Sequence, residues 1–210
     1  MKKKFDRENI AYVVIFSFVT CAVFVAGLAA ANEATAPKVR ANREFANQAA
    51  VLDALGIGYS GPAEAASLYA SAVRPIEGAS PRAYVAERPD GRHYAVEVTG
   101  AGLWGAITIV AAAGESLERL DGIQIIAQNE TPGLGGRIDE PWFKEQFRGE
   151  RVAGGRIRIS AGAEAGGSGA NDPDDGLVDG VSGATRTSQA MELILAKAIA
   201  RLAEVAGGGK

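Results

Sequence analysis

The stretch DGVSGATRTS, Asp179 to Ser188, sets two glycines, an alanine and four hydroxyl side chains directly ahead of an amphipathic helix. From Ser188 onward, Met191, Ile194, Leu195, Ala198, Ile199, Leu202 and Val205 recur at three- and four-residue spacing, which predicts one apolar helix face ending at Gly207. A helix N-terminus offers unpaired N–H groups and the positive end of the helix dipole, so it suits phosphate. Gly183 and Ala184 remove bulk that would keep a phosphate from the backbone, and Arg186 adds charge. The competing reading makes Thr187 or Ser188 simply the N-cap, which needs no ligand. A cap accounts for one hydroxyl and leaves the small residues before it without a purpose. The nucleotide-binding pattern G-x-x-x-x-G-K-[ST] is absent.

Upstream, ETPGLGGR (Glu130 to Arg137) interrupts a strand with three glycines and a proline. Glycines let backbone approach a ligand or adopt positive φ, so this is either a plain loop or a binding loop with Glu130 and Thr131 at the strand end. Two other strings carry less. Gly100, Gly102 and Gly105 in GAGLWG match G-x-G-x-x-G, but AITIVAAAG after them reads as a strand where a dinucleotide site needs a helix. Glycines at a strand connection beside a packed Trp104 suffice. NDPDDG (Asn171 to Gly176) has the acid density of a calcium loop without its spacing or its bidentate glutamate, and is expected to be solvated.

Between these loops the pattern is β. RAYVAERPDGRHYAVEVT holds two strand-like runs around Pro89-Asp90-Gly91, which predicts a hairpin. GLWGAITIVAAAG and LERLDGIQIIAQ continue as strands, and Arg156 to Ser160, RIRIS, alternates as an edge strand does. Pro141 to Phe147 is expected as a short helix with proline at its first position. Val39 to Ile57 has helical spacing and stops at Gly56 and Gly58, and the alanine-rich Pro62 to Val73 is a second short helix. Ala161 to Gly176 is a glycine-rich connector that cannot bury a core. The fold class is therefore α+β, a mixed or antiparallel sheet with flanking helices.

Ile10 to Ala31 contains no charged residue, and at about 1.5 Å per residue it spans roughly the 30 Å hydrocarbon core. A cleaved signal peptide is the rival, with Ala29-Ala30-Ala31 offering small residues, but its apolar region is usually only about 7–15 residues long. The expectation is one transmembrane helix. Lys2, Lys3, Lys4 and Arg7 flank it on one side, Lys38, Arg40 and Arg43 lie further off on the other, and this bias favours a cytoplasmic N-terminus. Residues 1–9 are thus cytoplasmic, 10–31 the anchor with Asn32 to Pro37 a linker after it, and the C-terminal part extracytoplasmic. Cys21 is the lone cysteine and lies in the apolar run, which excludes disulfides and cysteine-ligated metal centres built from this chain. His93, the lone histidine, is expected to be a satisfied residue rather than a ligand, and no metal site is expected. A formal charge of −3 provides no basic footprint for nucleic acid.

Asp179-Gly180-Val181-Ser182-Gly183-Ala184-Thr185 resembles the flavinylation motif D-x-x-[ST]-G-A-[TS] of the FMN-binding domain family at every specified position. Members include NqrC of the sodium-pumping NADH:quinone reductase and RnfG of the Rnf-type ion-translocating complex. ETPGLGG is similar to the family's second signature, a loop against the flavin ring, with Glu130, Thr131 and Leu134 in the corresponding positions. The resemblance covers about Gly100 to Met191. It implies FMN held covalently through its phosphate on Thr185 by a flavin transferase, with Asp179, Ser182, Gly183, Ala184, Glu130, Thr131 and Leu134 around the cofactor. Glu130 and Thr131 are expected to hydrogen-bond the ring or ribityl chain, the carboxylate opposing build-up of an anionic reduced flavin. Residues 81–207 are expected to form the FMN-binding domain, and 32–80 the linker and helical segment. The implied role is electron relay, not catalysis alone, with other subunits of an ion-translocating complex as partners. GLWG, GLGG, Pro141-Trp142 and VDG are closer to the NqrC pattern, whereas the compact length and TSQAM after the motif are closer to RnfG. The competing classes are a stand-alone extracytoplasmic FMN carrier and a flavin-free docking subunit.

Overall fold

The computed structural model describes residues 10–152, 154–160 and 172–208, so the N-terminal nine residues and most of the glycine-rich connector lie outside it. The chain divides between Glu44 and Phe45 into two compact units. Helix α1, Ile10–Ala54, supplies the first unit and enters the second. Its apolar residues from Ile10 to Leu28 are exposed, and it is long and apolar enough to cross a membrane. The expected linker Asn32 to Pro37 is helical instead. A proline inside a helix removes one backbone hydrogen bond. Here alanines at 34 and 36 favour helix, and Thr35 Oγ1 donates to the carbonyls of Ala31 (2.9 Å) and Asn32 (3.2 Å).

The second unit is built on a five-stranded sheet: β1 (Val73–Pro75), β2 (Ala83–Arg88), β3 (Gly91–Ala101), β4 (Ala106–Gly114) and β5 (Leu120–Ala127). Strand order follows the sequence and every neighbouring pair is antiparallel. Arg88 pairs with Gly91, so Pro89-Asp90 is the expected two-residue turn. Ala101 pairs with Ala106, which leaves Gly102 to Gly105 as a four-residue connection.

Both faces of the sheet are covered. On one face Tyr94, Val96, Val98, Ile107 and Ile109 meet helix α4 (Thr185–Gly207) at its Met191, Ile194, Leu195, Ala198 and Leu202, and Ile123 and Ile125 of β5 join the same buried cluster. The other face carries Tyr84, Ala86, Ala95, Val110 and Ala112, packed with Ala50, Val51, Leu52 and Ala54 of α1, Leu55 just after it, and Ala65 of α2 (Pro62–Ala72). Alternate residues of one strand thus go to different helices. Residues 45–80, expected ahead of the domain, belong to its compact unit because α1 ends on this second face.

Beyond β5 come a 3₁₀ turn, Gly135–Asp139, the short helix α3, Pro141–Glu145, and a two-stranded parallel pair, β6 (Arg158–Ser160) with β7 (Leu177–Asp179). The sheet is therefore antiparallel, with a separate parallel pair. Ser160 lies opposite Asp179, so this pair delivers the motif loop to the N-terminus of α4.

Candidate functional site

Asp179 is buried and acts as the root of the motif loop. Its N–H donates to Gln146 Oε1 (2.8 Å), Gln146 Nε2 donates to its carbonyl (3.2 Å), and Ser160 Oγ donates to Oδ1 (3.3 Å). Gly180 passes so close to Ser160 that a Cβ would strike the Ser160 carbonyl and sit 2.9 Å from Ser188 Oγ. Ser182 is half-buried. Gly183 turns the chain with φ +75°, in the left-handed region that favours glycine. Ala184 follows as N-cap, and no side chain caps the helix. The helix starts at Thr185, three residues before the expected position.

Both candidate cap hydroxyls point inward. Thr187 Oγ1 donates to Glu130 Oε2 (2.6 Å), and Ser188 Oγ accepts the Val181 N–H (3.2 Å). Thr185 and Arg186 are exposed instead. An uncapped first turn carrying an exposed hydroxyl leaves backbone donors and the positive dipole end available to an anion.

The second loop lies beside this turn, since a Cβ on Gly183 would be 3.4 Å from Leu134 Cδ2. Thr131 is exposed, and its carbonyl closes the loop by accepting the N–H groups of Leu134 (3.1 Å) and Gly136 (3.0 Å). Glu130 departs from expectation. It is 5% exposed, and Oε1 accepts the N–H groups of Leu103 (2.9 Å) and Trp104 (3.1 Å). The carboxylate thus sits beneath the loops, committed to protein donors, rather than presented to a ring.

Trp104 is not packed, as its sequence context suggested, but 72% exposed. It occupies the centre of the four-residue connection between β3 and β4, closed by Gly102 N–H on the Gly105 carbonyl (2.7 Å), where a side chain points outward. Outside α1, the exposed large hydrophobics among the described residues are Leu103 (45%), Trp104, Leu134 (46%) and Leu193. Three of the four stand on the two loops that Glu130 and Thr187 connect to the start of α4. Thr187 and the Leu103-Trp104 pair are the residues of this candidate site that motif reading passed over. The length of the β3–β4 connection was the signal for the latter.

An uncapped helix start with a free hydroxyl, a positive-φ glycine before it and exposed apolar side chains on adjoining loops fit a phosphorylated aromatic cofactor. The phosphate suits the N–H groups and the flat ring suits the apolar side chains. This defines an α+β domain with a candidate cofactor site.

Residues 102–200 match the model of the FMN-binding domain family. It is 35% identical over 95 residues to the NqrC subunit of the Na(+)-translocating NADH-quinone reductase of Yersinia pestis, covering 45% of this chain and 35% of the relative. It is 34% identical over 97 residues to the same subunit of the Vibrio anguillarum enzyme, covering 46% and 37%. The chain thus spans about a third of the length of these curated relatives. The fold is shared with the crystal structure of the corresponding subunit from Parabacteroides distasonis, with a TM-score of 0.63 and 22% identity over 80% of this chain and 94% of that one. Shewanella oneidensis NqrC gives 0.64 and 17%, over 79% and 99%. The chain thus combines a helix long and apolar enough to cross a membrane with a stretch similar to FMN-binding domains.

Proposed function

We propose that the protein carries FMN covalently on Thr185 and relays electrons as one component of an ion-translocating redox complex, most like NqrC of the Na(+)-translocating NADH-quinone reductase. The observation that carries this reading is the exposed Thr185 hydroxyl on an uncapped first turn, preceded by Gly183 at φ +75°. FMN, when bound, supplies one- and two-electron transfer. The chain's own residues hold and orient. Thr185 Oγ is the attachment atom, and the N–H groups of the first turn of α4 face its phosphate. Leu103, Trp104 and Leu134 shield the ring from water, and the buried Asp179 fixes the loop from below. Thr131, exposed at the loop edge, is positioned to reach the ribityl chain.

The attachment requires a flavin transferase as partner, and electron relay requires donor and acceptor subunits. Residues 1–9 are assigned to the cytoplasm from the flanking lysines, which puts residues 45–208 outside the cytoplasmic membrane. There a tether prevents loss of cofactor by dilution. Peptide mass spectrometry of the chain co-expressed with a flavin transferase tests the proposal. The expected result is a mass gain of FMN less water on the peptide containing Thr185, absent from Thr185→Ala. An unmodified chain, under conditions that fully label a reference acceptor domain, overturns it and leaves a docking subunit.

A further inference from the structure

We infer that Glu130 is a positioning residue: its buried carboxylate ties the Gly102–Gly105 connection to the first turn of α4, and Gly102 and Gly135 are glycine to leave room for that carboxylate and its Thr187 partner. The inference rests on Thr185 as the flavin attachment point, and it assigns Glu130 to the geometry of that site rather than to contact with the ring.

A buried carboxylate is tolerated only where donors replace water. Glu130 has three: two successive backbone N–H groups at Oε1 and the Thr187 hydroxyl at Oε2. Charge-assisted bonds of this kind are stronger than neutral ones. The partners are Leu103, Trp104 and Thr187, which lie 27, 26 and 57 residues from Glu130 in the chain. Glu130's own N–H is fixed by Gln128 Oε1 (2.7 Å). One side chain therefore holds a loop with two exposed apolar residues and a helical turn with the exposed Thr185, two residues before Thr187.

The glycines on either side follow from the same carboxylate. A Cβ on Gly102 would lie 2.5 Å from Glu130 Oε1 and 2.8 Å from Ile107 Cδ1. A Cβ on Gly135 would lie 2.5 Å from Thr187 Oγ1 and 2.9 Å from Glu130 Oε2. Neither glycine is among those with positive φ, so the demand at both positions is space and not backbone conformation. Gly102 of GLWG and Gly135 of GLGG thus serve a contact beneath the site.

The test uses the full chain in detergent micelles with Trp142→Phe, which leaves Trp104 as the sole tryptophan, with and without a flavin transferase. Variants are Glu130→Ala, Glu130→Gln and Gly102→Ala. The amide of Glu130→Gln still accepts both backbone N–H groups and donates to Thr187 Oγ1, so it rescues the geometry without the charge. In the flavin-free chain, collisional quenching and local mobility of Trp104 are expected to rise in Glu130→Ala and Gly102→Ala and to stay at the parent level in Glu130→Gln. Under limiting transferase, flavin incorporation is expected to fall by about tenfold or more in the first two, because ångström misplacement of a reacting group lowers rate steeply. Glu130→Gln should stay within about twofold of the parent, its hydrogen-bond geometry being kept. Unchanged Trp104 mobility and incorporation in Glu130→Ala overturn the inference. So does a Glu130→Gln chain as defective in incorporation as Glu130→Ala with Trp104 still fixed, since charge and not position then matters. Should Glu130→Ala fail to fold, Gly102→Ala decides, as its Cβ displaces the carboxylate from the side of the Gly102–Gly105 connection. Failure of the parent chain to gain flavin strikes the proposed attachment, whereas the flavin-free Trp104 measurement still decides the role of Glu130.

Discussion

At the residue scale, the conformation of the motif loop was legible because each motif position has a local physical meaning. Gly183 adopts φ +75°, Thr185 opens the helix and Ala184 leaves the turn free of a side-chain cap. The sequence could not show that Glu130 faces inward, because its partners Leu103, Trp104 and Thr187 are brought to it only by the sheet and α4. Glu150 is another buried carboxylate, with Oε1 accepting the Gly176 N–H (2.9 Å). Burial pushes its carboxyl above the ordinary glutamate value of 4.5, with Asp175 adding to the rise, while Gly176 N–H and Arg119 oppose it. A folded-state value above the unfolded one gives a contribution that is present below pH 4.5 and lost as pH rises through the folded value. Glu150→Gln retains the acceptor for Gly176. Thermal denaturation is expected to show the variant more stable than the parent at pH 7, with the gap closing toward pH 4. A gap that is constant with pH would contradict the assignment.

At the element scale, strong periodicity was read correctly and long-range pairing was not. The apolar stripe of α4 and the β2–β3 hairpin depend on spacing and turn chemistry within one segment. β1 and β7 have three residues each, too few for a repeat to register, whereas the alternation of Arg156 to Ser160 marked β6. β3 shows a continuous buried run from His93 to Val96 because helices cover both sheet faces. The same run includes His93, a satisfied residue as expected, with Nδ1 2.6 Å from Asp121 Oδ2. α4 docks on β3 so closely that a Cβ on Gly100 would strike Ile194. Truncating Leu195, fully buried on this face, should therefore cost about 2–5 kcal/mol, and truncating the exposed Leu193 within about 0.5 kcal/mol either way. Denaturant titration of Leu195→Ala and Leu193→Ala gives the comparison. Equal losses would mean that α4 docks by a different face.

At the scale of the whole molecule, the apolar run was plain in the sequence, but the start of the compact unit was not. A boundary at residue 81 follows from where strand patterning begins, whereas packing places it at Phe45. Val51 and Leu52 of α1 and Leu55 just after it are buried with Tyr84, Ala95 and Val110 of the sheet. A chain beginning at Arg43 is expected to be water-soluble and to unfold cooperatively. One beginning at Gly58 loses that layer and should melt well below it or expose its sheet to a hydrophobic dye. Similar melting of the two would show that the end of α1 contributes nothing to the domain.

The sequence position of α4 has a consequence in time. Every strand of the sheet precedes it, and the carboxylate that meets its first turn comes from a residue 57 positions earlier. Pairings of such separation close late, after the loops between them have been ordered. During synthesis the sheet can therefore form with one face bare, while the threonine and its neighbouring loops come into register only once the last helix has emerged and docked. Under the proposed attachment at Thr185, flavin loading becomes a report on completed folding, and a chain stalled before that step stays colourless.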